Sequence, residues 1–149
     1  MIEENRQHIR YLSKQDIADI HASLAEEVKR DGSEPLPDFR YGRGADIDAL
    51  VVAPQQRFYD RDAYPALAEK AAIIFYTVNR KHIFPNGNKR MSTLCMLTFL
   101  SINGHGLDVP PSELTTTALW LATAEAENFP TVMVELVTWI EAHIIRNID

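Results

Sequence analysis

The sequence predicts an all-helical (all-α) bundle with one small β feature, on three observations. Apolar residues recur at helical spacing in successive stretches, Gly, Pro or polar punctuation closes each stretch, and one segment after Pro54 is too short for a helix of its own. At 149 residues the chain can bury an ordinary core without staples, so a single domain over residues 1–149 is expected.

Ser13-Lys14-Gln15-Asp16 reads as a capped helix start, because the serine oxygen can take a first-turn amide while Asp16 reaches back. Ile17, Ile20, Leu24 and Val28 follow on one face, and Asp31-Gly32 ends the helix. Gly32, Pro35, Pro37, Gly42 and Gly44 make residues 31–49 a long irregular connection, and loops of that length are uncommon without a task. A short helical turn fits Asp46 to Val52, stopped by Pro54. Gln55-Gln56-Arg57-Phe58-Tyr59-Asp60, polar outside and aromatic within, reads as a small hairpin or flap. Tyr64 to Lys81 is predicted helical, with Leu67, Ala71, Ile74, Phe75 and Val78 on its apolar face and Glu69, Lys70 and Arg80 off it. Met91 to Ile102 is apolar on nearly every side and is the expected central buried helix, ended by Asn103-Gly104. Pro110-Pro111-Ser112-Glu113 starts another helix running to about Ala126. A last helix takes Thr131 to about Ile148, with Met133, Leu136, Val137, Ile140 and Ile144 inward. No internal repeat or low-complexity tract is visible.

Acids outnumber bases by 21 to 15, and the formal net charge of −6 argues against a nucleic-acid surface and makes a DNA-binding regulator a poor reading. The positive charge is local: Arg80, Lys81, Lys89 and Arg90 bracket one turn. Cys95, the single cysteine, lies in the apolar run Leu94-Cys95-Met96-Leu97 and reads as a small buried hydrophobe in a reducing compartment. Acids occupy the start of the chain where a signal peptide would have a basic and then apolar run, and no apolar stretch reaches membrane-spanning length. A soluble cytoplasmic protein that engages neither membrane nor nucleic acid is expected.

The chemistry concentrates in His82-Ile83-Phe84-Pro85-Asn86-Gly87-Asn88-Lys89-Arg90. An imidazole leaves an apolar helix, a tight turn follows whose amides can face an anion, and two cations open the next helix. Helix dipole, turn amides and charge on one volume suit a polyphosphate. His82 can accept a proton near neutral pH, whereas His8, His21, His105 and His143 show no metal-ligand spacing and read as surface or core residues. Phe84 is an apolar residue in a polar turn, expected to fix the loop's shape from beneath. Gly87 permits close ligand approach, Asn88 can hydrogen-bond phosphate, Arg90 offers a planar fork and Lys89 a compact charge.

This string resembles the signature of the Fic/Doc family, roughly H-x-F-x-[D/E]-[G/A]-N-[G/K]-R. His82, Phe84, Gly87, Asn88, Lys89 and Arg90 satisfy it, and Asn86 departs from it. The likeness extends through Tyr11 to Ile17, Ala53 to Phe58 and Tyr64 to Ala72, and so covers most of the chain. It implies a compact Fic/Doc-like helical fold in which His82 takes the proton from a target hydroxyl, ATP is the donor, and Gly87, Asn88, Lys89 and Arg90 hold its phosphates. Lys89, where AMP-transferring relatives have glycine, is similar to the death-on-curing (Doc) toxin branch and implies reversed nucleotide binding, hence phosphate transfer in place of AMP transfer. In the family a carboxylate at the position of Asn86 holds Mg2+; a neutral carboxamide supplies oxygen without charge, so weak metal binding, a borrowed carboxylate or a weak nucleotide-binding module all stay open. The resemblance also implies that Gln55, Gln56 and Arg57 form a flap that pins a target peptide, that the target is a translation elongation factor, and that a small antitoxin docks on the protein. Thr123 to Asn128 fits an inhibitory pattern of some Fic proteins, [S/T]-x-x-x-E-[G/N], and is read as coincidence.

Overall fold

A computed structural model describes residues 8–147; readings placed on residues 1–6 and on Ile148 lie outside the described residues. The α-helices are α1 (Lys14–Arg30), α2 (Gly44–Val52), α3 (Leu67–Lys81), α4 (Asn88–Ile102), α5 (Pro111–Thr123) and α6 (Phe129–His143), so the fold is all-α. A hairpin of β1 (Arg57–Phe58) and β2 (Arg61–Asp62) stands between α2 and α3.

Local chemistry sets the helix ends. Ser13 Oγ accepts from Asp16 N at 3.1 Å while the Asp16 carboxylate accepts from Ser13 N at 2.8 Å, closing a capping box at α1. α1 buries Ile17, His21, Leu24 and Val28, with Ile20 half-buried. α3 begins at Leu67, three residues later than Tyr64, because Ala66 is extended and its N–H donates to the Glu69 carboxylate at 3.1 Å.

Two expectations about burial change. α4 buries Met91, Ser92, Cys95, Met96, Phe99 and Leu100, but Leu94 and Leu97 face a groove between α1 and α5. α3 is the more enclosed helix, since α2, α4, α5 and α6 all pack against it. Its small residues Ala68, Ala71 and Ala72 are buried, and so is Lys70, expected off the apolar face and here only 1% exposed. Cys95 is fully buried, and burial pushes its thiol up to about 12, which leaves it a packing residue.

The C-terminal third departs most. α5 stops at Thr123 where Ala124 turns extended, a 3-10 turn covers Ala126–Asn128, and Pro130 sits in the first turn of α6. The last helix ends at His143, short of the expected end near Ile148. Residues Ile144–Arg146 instead form β4, antiparallel to β3 (His105–Leu107), with His105 opposite Arg146 and Leu107 opposite Ile144. The chain reversing after Asn103-Gly104 offers a strand edge, and Asp108 N donates to His143 O at 2.8 Å while Asn147 N donates to Gly104 O at 2.9 Å. The described residues thus hold two small sheets where one was expected. None of their helices is long and apolar enough to cross a membrane.

Candidate active site

α3 delivers the site's imidazole. His82 caps its C-terminus in the left-handed region at φ 49°, ψ 52°, where glycine is the usual residue, and its side chain reaches solvent. The next residues dive inward. Ile83 is fully buried and its carbonyl accepts from Arg43 N at 2.8 Å, fastening the loop to the start of α2. Phe84 is 3% exposed, with its ring centroid 5.1 Å from that of His21 and 5.8 Å from that of Phe39.

Asn88 closes the loop from the other side. Its Nδ2 donates to Phe84 O at 2.7 Å and its Oδ1 accepts from Phe84 N at 2.9 Å, so one carboxamide replaces a two-bond strand pairing. Gly87, at φ 81°, is required twice over: a Cβ there would also lie 2.9 Å from Leu36 Cδ2. Its N–H donates to Asn86 Oδ1 at 2.8 Å, so this turn amide is already engaged.

Those constraints leave the N-terminus of α4 open. Among the described residues, the N–H groups of Asn88, Lys89 and Arg90 have no protein acceptor, as the first turn of a helix requires. Lys89 and Arg90 are exposed and meet no carboxylate within salt-bridge distance among the described residues. A cavity of about 410 Å³ collects His82, Asn86, Gly87, Asn88, Lys89 and Arg90 on one side and Glu34 and Leu36, from the α1–α2 connection, on the other. Such a cavity can hold an anion at the helix end with an imidazole beside it.

Other expected members lie elsewhere. Gln55, Gln56 and Arg57 do not line this cavity. Gln55 ends a 3-10 turn, with its Nε2 donating to Val51 O at 2.9 Å, and Arg57 lies in β1. The aromatics expected inside the hairpin are outside it: Phe58 is 67% exposed and Tyr59 fully so, on a positive φ of 58°. Arg80 is withdrawn from the basic group, since its guanidinium donates to Ala122 O at 3.1 Å at the end of α5. Glu127 lies in the 3-10 turn before α6 and does not line the cavity.

Sequence reading missed Asn79 and left His21 open between surface and core. Asn79 lies one helical turn before His82, 2% exposed; its Nδ2 donates to Ala118 O at 3.1 Å, and its Oδ1 is buried without a partner beside the cavity. An asparagine in a helix carries no pattern that would announce this. His21 occupies an apolar position of α1, which was the available signal, and burial lowers its pKa, with Asp38 opposing weakly.

No group of three His, Cys, Asp or Glu side chains able to hold a metal ion occurs among the described residues. Among the described residues lining the cavity, the Glu34 carboxylate and the remaining lone pair of Asn86 Oδ1 are oxygens a cation could use, a set that fits a cation arriving with phosphates better than a resident metal.

The model of the Fic/DOC family matches residues 11–100, which run from the segment before α1 to the end of α4 and contain every loop residue above. A 58-residue stretch is 45% identical to "Toxin Doc" of Mycolicibacterium smegmatis (strain ATCC 700084 / mc(2)155), covering 39% of this chain and 45% of that protein. The match thus spans less than half of the toxin's length. With a family match over more than half of its residues, the chain belongs to the Fic/DOC family.

Proposed function

We propose that this protein is a Doc-like toxin of a toxin–antitoxin pair, which transfers the γ-phosphate of ATP to a hydroxyl of a host translation protein, an elongation factor being the leading target. The observation that carries this is the convergence on one cavity of His82, three acceptor-free helix amides and the cations of Lys89 and Arg90.

The geometry supports a division of labour. Phosphoryl transfer asks the protein mainly for positioning and charge stabilisation. The amides of Asn88, Lys89 and Arg90, with both cations, hold phosphate oxygens. His82, at the rim of the same cavity, takes the proton as the target oxygen bonds to phosphorus and the bond to the leaving nucleoside diphosphate breaks. Asn88 acts through the backbone, since its carboxamide is occupied holding Phe84. Bound ATP would supply the transferred group, and Asn86 and Glu34 would add oxygens to an accompanying Mg2+, which would stabilise the phosphate charge. Lys89 supports phosphate transfer over AMP transfer through the family distinction at that position. The partial relative named a toxin supports the antitoxin partner.

Intact-mass measurement of elongation factors incubated with ATP, Mg2+ and this protein or His82→Ala tests the reading. A phosphate-sized gain that needs His82 is expected. An AMP-sized gain would replace the kinase assignment with Fic-type AMPylation, and nucleotide binding without transfer to any factor would leave a binding module. Asn86→Asp is expected to raise Mg2+ affinity in the presence of ATP; titrations unchanged by that substitution would remove Asn86 from the metal position.

A further inference from the structure

Lys70 is an unusual interior residue: it is only 1% exposed in α3, and none of the chemistry above uses it. Burial of a charge is unfavourable unless partners replace water, so what surrounds Lys70 Nζ shows what it is there to hold. Nζ donates to Pro54 O at 3.2 Å and lies 3.6 Å from Asp62 Oδ2. It also sits 5.6 Å from the centre of the Tyr11 ring, within cation–π range.

Pro54 and Asp62 flank the same short excursion. Pro54 lies just before Gln55, where the flap segment begins, and Asp62 ends β2, where it returns. One buried cation therefore grips both feet of the hairpin. The hairpin has little else: its strands are two residues each, all four exposed, and a two-stranded ribbon of that size does not hold itself in water. Beyond the β1–β2 pairing, its further ties include the Ala63 N to Gln56 O bond at 2.8 Å, Gln56 N to Ala53 O at 3.4 Å, Gln55 Nε2 to Val51 O at 2.9 Å, Arg57 to Asp60 O, and an exposed Arg57–Asp62 ion pair at 3.7 Å that solvent weakens.

From this we infer that Lys70 and Asp62 are positioning residues for the protein substrate, a buried latch that fixes the direction in which residues 55–62 leave the body of the molecule. The inference rests on the proposed function and on the target-pinning flap that the family resemblance implies for Gln55, Gln56 and Arg57. Lys70 also explains the enclosed character of α3 at this end, because its aliphatic stem fills core space while its charge reaches the hairpin.

The test uses Asp62→Asn, a half-exposed and isosteric change, alongside Lys70→Met, which keeps the buried volume. Trypsin can report on the hairpin directly, through Arg57 and Arg61. At a temperature well below the melting transition, both variants are expected to be cleaved at these arginines at least tenfold faster than wild type, with unchanged cleavage elsewhere. In phosphate transfer to the elongation factor, both should raise KM for the protein substrate several-fold while leaving kcat and the Kd for ATP as in wild type, and Asp62→Glu should restore KM. Unchanged cleavage at Arg57 and Arg61 in Asp62→Asn would overturn the latch whether or not Lys70→Met folds. Faster cleavage with unchanged KM would overturn the positioning role, and a wild-type protein that modifies no factor would remove the proposed function and this role together.

Discussion

The loop from His82 to Arg90 and the hairpin of β1 and β2 are both short excursions from a helical body, yet they are held in opposite ways. The loop is fixed along its whole length: Ile83 is tied to Arg43, Phe84 sits among His21 and Phe39, Asn88 clamps Phe84 on both sides, and Gly87 rests on Leu36. The flap is held at its feet, by Lys70, and its tip carries exposed Phe58 and Tyr59. On the proposed function, a loop that places amides and an imidazole to within fractions of an ångström needs many constraints, whereas a segment that meets a separate macromolecule needs a fixed root and a free end.

Substitutions should separate the two regions by size and sign. Phe84→Ala empties the space between His21 and Phe39 and is expected to cost about 3–5 kcal/mol of stability, read by chemical denaturation. Asn88→Ala leaves the Phe84 N–H and carbonyl without partners and should cost about 1–3 kcal/mol; a loss near zero would mean that the loop holds its shape without the clamp. Acid should act on the same region. Burial holds His21 below its ordinary pKa, so the unfolded chain binds a proton that the fold resists. Stability from this group is then complete above its ordinary value of about 6.5 and is lost progressively as pH falls below it. Melting curves between pH 7.5 and 5 should show that decline, and His21→Leu should flatten it. The flap should respond least and in the other direction: Tyr59→Gly relieves a left-handed backbone at a fully exposed site and should raise stability by less than about 1 kcal/mol, with no packing to lose. A large loss in Tyr59→Gly would show that the flap tip is braced after all.

The helices were legible wherever one face repeats, as in Ile17, Leu24 and Val28 of α1 or Ile74, Phe75 and Val78 of α3, because burial of an amphipathic stripe is a local pattern with a local signal. The loop was legible for a different reason, since histidine, glycine, asparagine and cations at fixed spacing have few other uses. The β3–β4 pairing was not. Ile144 continues the inward pattern of α6, so nothing in the segment itself says that the helix stops, and its partner His105–Leu107 lies far away in sequence. Lys70 and Arg80 misled in the same manner: a long cationic residue on a helix reads as solvent-facing, and only the assembled fold reveals carbonyls placed to receive it. The exposed aromatics of the flap invert the usual rule for the same reason, because no core reaches the hairpin tip.

The left-handed backbone at His82 sets this chain against itself over evolutionary time. At a helix end of that geometry, glycine would relieve roughly 1 kcal/mol or more of backbone strain, so a His82→Gly chain should be at least as stable as the wild type. Loss of the imidazole is therefore thermodynamically downhill. On the proposed function, a lineage freed from any demand for proton transfer would keep its fold and shed this histidine early, and one that keeps it does so against the grain of its own stability.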